Sequence, residues 1–279
     1  MSKLLIINAD DYGYNPQQNA AIDELIKERL ITSTSVMSVA PSAAQCGELQ
    51  NSGVSVGAHF TLNSDSDADR WRSLTLSKSF GGESGMPQNM FYLTTHATHS
   101  AVKKELVSQY DFIVNHGVRV DHADSHCGTL YGINLRRFYI DAFDFCAERN
   151  LPFRFPKTAG FIERQLGRKL PKAAVALQNA VVKQAQKRNV KLLDDLVSNP
   201  WGIDRISCCE DLQKYYLDCV DNSIDGVTEM FLHPAKPIDD KISPWTKRVY
   251  EYELLKSGDI LQRARDRGVE VVTWEQAFN

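Results

Sequence analysis

Short apolar runs alternate with amphipathic stretches of helical period along nearly the whole chain, and that rhythm leaves few folds open. Residues 3–9 read as a buried strand, and residues 17–30 as a helix with Ala21, Ile22, Leu25, Ile26 and Leu30 on one face. Further strand-like runs lie at 35–40, 54–61, 118–123, 151–155, 226–232 and 269–273, which makes seven, and the ambiguous stretch 190–204 has room for an eighth. Helical stretches fall between them at 41–51, 100–116, 134–149, 171–189, 209–222 and 245–267. Pro41 stands at an early helical position, where its missing N–H costs nothing, and Gly117 ends the helix before the fourth strand. Strands alternating with helices of this length pair in parallel through right-handed crossovers, as a closed barrel or as an open doubly wound sheet. We expect an α/β fold: a distorted (β/α) TIM-like barrel of seven or eight mostly parallel strands.

The 279 residues suit one large barrel or two smaller units, and the chain shows no internal repeat, low-complexity tract or linker, so a single domain over 1–279 is expected. Residues 63–98 interrupt the rhythm as a long inserted loop rich in Ser, Asp, Gly and Thr. Its aromatics Trp71, Phe80, Phe91 and Tyr92 either line a substrate or fold back on the body.

A formal net charge of −3 offers no attraction to a phosphate backbone or an anionic leaflet, so neither nucleic acid nor membrane is an expected partner. The longest apolar stretch, residues 173–177, is far short of the roughly 20 residues that cross a bilayer. Residues 4–7 are too few for the core of a signal peptide, and a cytoplasmic protein is expected. The six cysteines (Cys46, Cys127, Cys146, Cys208, Cys209 and Cys219) have no C-x-x-C spacing and read as reduced thiols.

In a parallel barrel the loops after the strands open onto one face, and catalytic groups sit there. The residues most capable of chemistry fall at those ends. Asn8, Asp10 and Asp11 follow the first strand, His59 ends the third, and Asp124 and His126 follow the fourth. Arg154 lies on the fifth, and Glu229 and His233 lie on and after the 226–232 strand. Each has an ordinary reading too: paired aspartates cap helices, a histidine in GAH belongs to a core, and His233 before Pro234 is a loop residue. Asp124 and His126 are one strand period apart and point the same way. Together these residues hold the parts of a mononuclear metal hydrolase site. One carboxylate and two imidazoles bind a divalent ion, a second carboxylate takes the proton of water, and a further histidine protonates a leaving amine.

The segments NADDYG, GAHFTL, HADSHCGTL and TEMFLHP resemble the signature segments of the YdjC-like carbohydrate deacetylases, the family of chitooligosaccharide deacetylase, itself distantly similar to the NodB-type polysaccharide deacetylases. The resemblance runs from about residue 3 to residue 274. It implies a distorted (β/α) barrel, one divalent metal ion such as magnesium or zinc, and hydrolysis of the acetamide of an N-acetylated sugar or oligosaccharide. It further implies Asp11, His59 and His126 as metal ligands, Asp10 as general base, His233 as general acid, Arg154 as a residue orienting a carboxylate or touching substrate, and Glu229 as a supporting partner. A homodimer is a family expectation. The chain departs from the family pattern at Gly128, where many members carry a second histidine; the lost imidazole changes the pocket wall and so bears on the substrate more than on the reaction. Two other readings are a non-catalytic carbohydrate- or metal-binding regulator on the same fold, and a hydrolase using Cys127 beside His126 as nucleophile.

Overall fold

A computed structural model describes residues 2–239 and 241–278. The chain begins with β1 (Lys3–Tyr12), α1 (Pro16–Lys27), β2 (Ser33–Val36) and β3 (Ser55–Phe60), with a 3₁₀ turn at Ala43–Leu49. After the long insertion, which carries two 3₁₀ turns and the short α2 (Tyr92–His96), come α3 (His99–Asn115), β4 (His122–Ser125), α4 (Tyr139–Arg149) and β5 (Phe153–Pro156). Then follow α5 (Gly160–Leu166), α6 (Lys172–Gln186), β6 (Leu192–Leu193), β7 (Asp195–Val197), α7 (Cys209–Asp221) and β8 (Gly226–Leu232). The last elements are α8 (Pro244–Ser257), α9 (Asp259–Asp266), β9 (Glu270–Val271) and α10 (Trp274–Phe278).

The strand order is β6-β5-β4-β3-β2-β1-β8-β7, with β9 also on β1, and every ladder among the described residues is parallel. Only Asp194 separates β6 from β7, so the two ends of that order are one bent segment. Asp194 is pinned to β8 through its backbone N–H on Val227 O (2.8 Å) and its carboxylate on Val227 N (2.9 Å). The sheet thus curls into a nearly closed barrel of eight parallel strands, a distorted TIM-like fold, and the ambiguous stretch after α6 supplies the bent strand.

Period-two alternation sorts the side chains. On β1, Leu5, Ile7 and Ala9 join the large core under the helices, whereas Ile6 joins a small cluster with Leu193, Leu196, Val227, Val272 and Trp274. That cluster plugs the barrel interior, so the residues in phase with Ile6, namely Asn8 and Asp10, lie above it. The same phase on other strands brings in His59, Asp124, Arg154 and Glu229. Gly57 is required within this interior, since a Cβ there would meet the His122 ring at 2.3 Å.

Several boundaries differ from the sequence pattern. The 245–267 stretch reads as one helix, but Gly258 at φ 75° ends α8 and starts α9. Helix formation over 41–51 reduces to the 3₁₀ turn, and over 134–149 it starts only at Tyr139. β1 runs three residues past its apolar run, which places Asp10 and Asp11 on the strand itself. The strand-like run 118–123 joins the sheet only from His122, where pairing with Gly57 begins. α5 has no counterpart in the pattern because none of its residues is buried. Among the described residues no helix is long and apolar enough to cross a membrane.

Candidate metal centre

Strict alternation would turn Asp11 away from Asp10 and out toward the helices. Instead β1 bulges: its register with β2 shifts between Ala9 and Tyr12, and Asp11 takes φ 69°, a conformation that Asp tolerates better than most residues. The bulge re-aims the side chain, so both carboxylates line one cavity of about 890 Å³ together with His59, His126, Arg154 and His233.

Three side chains converge at the floor of that cavity. Asp11 Oδ1 lies 3.2 Å from His59 Nε2 and 3.8 Å from His126 Nδ1, and the two imidazole rings stand edge to face at 5.4 Å. The far nitrogen of each ring faces a carboxylate: His59 Nδ1 is 2.7 Å from Asp124 Oδ1, and His126 Nε2 is 2.8 Å from Asp65 Oδ1. Such backing carboxylates orient imidazoles that ligate metals. The Asp11 Oδ1 atom is buried and has no hydrogen-bond partner, an expensive state for a carboxylate oxygen unless a cation meets it. The other oxygen, Oδ2, accepts from Arg248 Nη1 at 2.9 Å, which fixes the carboxylate plane. A hard oxygen and two imidazole nitrogens within 4.8 Å of one another are able to hold a divalent ion.

The charges around these groups are strongly coupled. Burial opposes ionisation of Asp11, but His126, His233, His59 and Arg248 outweigh it and hold the carboxyl well below the usual carboxylate range. Burial likewise disfavours a charged His59, yet Asp124, Asp11 and Asp10 lift its ring to about 10.

Below the metal-ligand set lies a buried guanidinium. Arg154 binds both oxygens of Asp10 (2.7 Å each), both oxygens of Glu229 (2.8 Å each), and Asp124 Oδ2 (2.9 Å). Asn8 Nδ2 donates to Asp10 Oδ1 at 2.5 Å and Ser35 Oγ to the same atom at 3.2 Å. Burial raises the Glu229 carboxyl above its ordinary value even though Arg154 pulls it down. On the opposite side His233, with its side chain 30% exposed, points Nε2 toward Asp10 Oδ2 at 3.9 Å, and its backbone N–H donates to Glu251 Oε2 at 2.7 Å.

The structure therefore brings together all nine residues singled out in the sequence, Asn8, Asp10, Asp11, His59, Asp124, His126, Arg154, Glu229 and His233, though Asn8, Asp124 and Glu229 lie beneath the cavity rather than at its wall. Asp65, Arg248 and Glu251 are additions, as is Gln18, whose Nε2 donates to Asp10 O at 2.9 Å and whose Oε1 accepts from Arg248 Nη1 at 3.0 Å. Asp65 sits in an acidic loop and Arg248 mid-helix, and neither has a local sequence signal. Of the loop aromatics, Phe80 is in the core and Trp71 packs edge-on to His126 at 5.7 Å. Phe91 is exposed and Tyr92 stacks on His96, so the loop folds back and contributes Asp65.

A thiol mechanism at Cys127 lacks its relay. Cys127 Sγ lies 3.3 Å from His126 Nε2, the same nitrogen that meets Asp65, while the other ring nitrogen faces Asp11. A nucleophile–base–orienter chain needs a carboxylate hydrogen-bonded to the nitrogen opposite the thiol; Asp65 sits on the thiol's own nitrogen, and Asp11 Oδ1, 3.8 Å from Nδ1, stands beyond hydrogen-bond reach.

Comparison with known proteins places the chain. Residues 4–266 match the family described as YdjC-like protein. A carbohydrate deacetylase of Geobacillus stearothermophilus is 24% identical over 285 residues, covering 100% of this chain and 99% of the relative. A chitooligosaccharide deacetylase of Proteus mirabilis is 26% identical over 287 residues, covering 99% of each. Among solved structures, a protein of Enterococcus faecalis V583 named for cellobiose-phosphate cleavage superposes with a TM-score of 0.77 at 22% identity, covering 99% of both chains, a likeness of fold.

Proposed function

The chain belongs to the YdjC-like family, and we propose that it is a metal-dependent hydrolase that removes the acetyl group from an N-acetylated sugar or oligosaccharide. The observation that carries this reading is the buried, unpartnered Oδ1 of Asp11 facing two carboxylate-backed imidazoles, in one cavity with Asp10 and His233. The names of the Geobacillus and Proteus relatives support the substrate class.

In this reading Asp11, His59 and His126 hold one divalent ion, magnesium or zinc. When bound, the ion supplies a Lewis acid that polarises the acetyl carbonyl and acidifies water. Asp10 accepts the proton of the attacking water, and Arg154 and Asn8 hold its carboxylate toward the cavity. The water oxygen bonds to the acetyl carbon, the C–N bond breaks, and His233 Nε2 delivers a proton to the departing amine nitrogen, leaving acetate and a free amino sugar. Glu251 anchors the backbone of His233. Asp124 and Asp65 orient the two imidazoles, and Glu229 anchors Arg154. We place the enzyme in the cytoplasm, where its six free thiols stay reduced.

The decisive test is Asp10→Asn. The expected result is retained metal, measured by elemental analysis, with acetate release from N-acetylglucosamine oligomers reduced by a factor of about 10² or more. Near-normal turnover by this variant removes Asp10 from the role of base. Bound metal with no acetate release by the unaltered protein favours a binding regulator instead.

A further inference from the structure

The cavity does not end at the polar residues. From Asp10, His59 and His233 it continues past Arg154 between α5 and α6, where Phe161, Ile162 and Leu166 face Ala174, Leu177 and Val181. The α6 residues 174, 177, 178 and 181 follow the i, i+3, i+4, i+7 spacing of a stripe that ordinarily packs into a core. Here the stripe lines an open groove: Leu177 is 67% exposed and Leu166 51% exposed. α5 is tied to β7 by Arg164 on Asp195 and Leu196 O, yet none of its residues is buried, so its side toward α6 is left uncovered. A site meant only for sugar hydroxyls has little use for such a surface, and contiguous exposed apolar area at a pocket marks a ligand.

Within this groove Gln178 is 5% exposed. Its Nε2 donates to Pro156 O (2.9 Å) and Thr158 O (2.5 Å), whereas its Oε1 is buried with no partner. An acceptor left open at this depth is suited to a hydroxyl or amide N–H of a bound molecule.

Resting on the deacetylase reading, we propose that the substrate is amphipathic: an acylated amino sugar carrying an apolar chain that lies between α5 and α6 while its amide sits at Asp10, Asp11, His59 and His126. The chain has two chemical sources, a long N-acyl group or a lipid on the anomeric oxygen, and the groove's apolar character serves either.

The test measures binding separately from turnover. Two series are titrated calorimetrically against the full-length Asp10→Asn protein, below the micellar concentration: N-acyl glucosamines of increasing acyl length, and alkyl N-acetylglucosaminides of increasing alkyl length. Affinity is expected to rise by up to about fourfold per methylene over several carbons in at least one series, and the series that responds identifies the source. Leu177→Asp, at an exposed position that folding tolerates, is expected to flatten that rise. In the otherwise unaltered enzyme, Leu177→Asp should leave hydrolysis of a short N-acetylglucosamine oligomer within about twofold. Affinities independent of chain length in both series, or a rise untouched by Leu177→Asp, overturn the proposal while leaving deacetylation of short sugars standing. A rise sensitive to Leu177→Asp in a protein that hydrolyses no substrate supports the groove and overturns the reaction.

Discussion

Asp124 and His59 are direct cross-strand partners in the β3–β4 ladder, and Asp124 Oδ1 lies 2.7 Å from His59 Nδ1. The contact fixes the ring so that Nε2 turns to Asp11. Asp124→Asn keeps the shape but removes the charge that orients and enriches the imidazole. Metal affinity is expected to fall by a factor of about 10 to 100, read by calorimetric titration of the apo-protein with zinc. An unchanged affinity would mean that His59 takes its orientation from elsewhere, Ser35 Oγ at 3.3 Å being the neighbour that remains.

Arg154 faces three carboxylates, all of them almost completely buried. Arg154→Met retains the bulk but leaves Asp10, Asp124 and Glu229 without their shared counter-charge. Removing one partner of a buried pair costs about 3–5 kcal/mol. The urea midpoint should drop accordingly, and adding Glu229→Gln to Arg154→Met should restore part of the loss, because one of the stranded charges is then gone.

The sequence exposed the barrel because its strands and helices keep their own periods, and it exposed the nine polar residues because each sits in phase with the barrel interior or just past a strand end. Asp10 and Asp11 mark the limit of that reasoning. A period of two separates them onto opposite faces, and only the bulge at φ 69° reunites them, a backbone event with no signature in NADDYG. Asp65 and Arg248 were hidden for a different reason. They reach His126 and Asp11 across 61 and 237 positions of chain, and long-range packing of a loop and a late helix leaves no local pattern. α5 escaped because a helix without a buried face writes no periodicity into its residues.

Glu24 on α1 is held by Lys236, Lys256 and Tyr252, joining the first helix to α8 and to the segment that follows His233. Lys236, the largest contributor, followed by Lys256 and Tyr252, lowers the Glu24 carboxyl from 4.5 to about 2. A carboxyl depressed in the folded state stabilises above its unfolded value and loses that contribution as pH falls through its folded value. The stability advantage of the natural chain over Glu24→Gln should therefore be constant above about pH 5 and vanish between about pH 4.5 and pH 2. Urea unfolding at a series of pH values measures it, and high salt should diminish the advantage at neutral pH because the cluster is still about a third exposed to solvent.

The family resemblance leads us to expect a second histidine where Gly128 stands, and the backbone there is unsuited to one. Cys127 and Gly128 both have left-handed backbones, at φ 51° and φ 63°. A Cβ on Gly128 would come within 3.1 Å of the Tyr131 ring and 3.3 Å of Ile133 Cδ1. Gly128→Ala is expected to cost about 1–2 kcal/mol from the left-handed backbone alone. Gly128→His should cost more, since the imidazole must displace Tyr131, whose ring packs on Phe153 and Phe155. Because the turn that carries residue 128 is set by these contacts, the added imidazole is not expected to raise zinc affinity. A Gly128→His protein that unfolded at the natural urea concentration and bound zinc more tightly would show that the loop adapts. The wall made by Tyr131 and Ile133 would then be a consequence of the missing histidine rather than the reason a histidine cannot stand there.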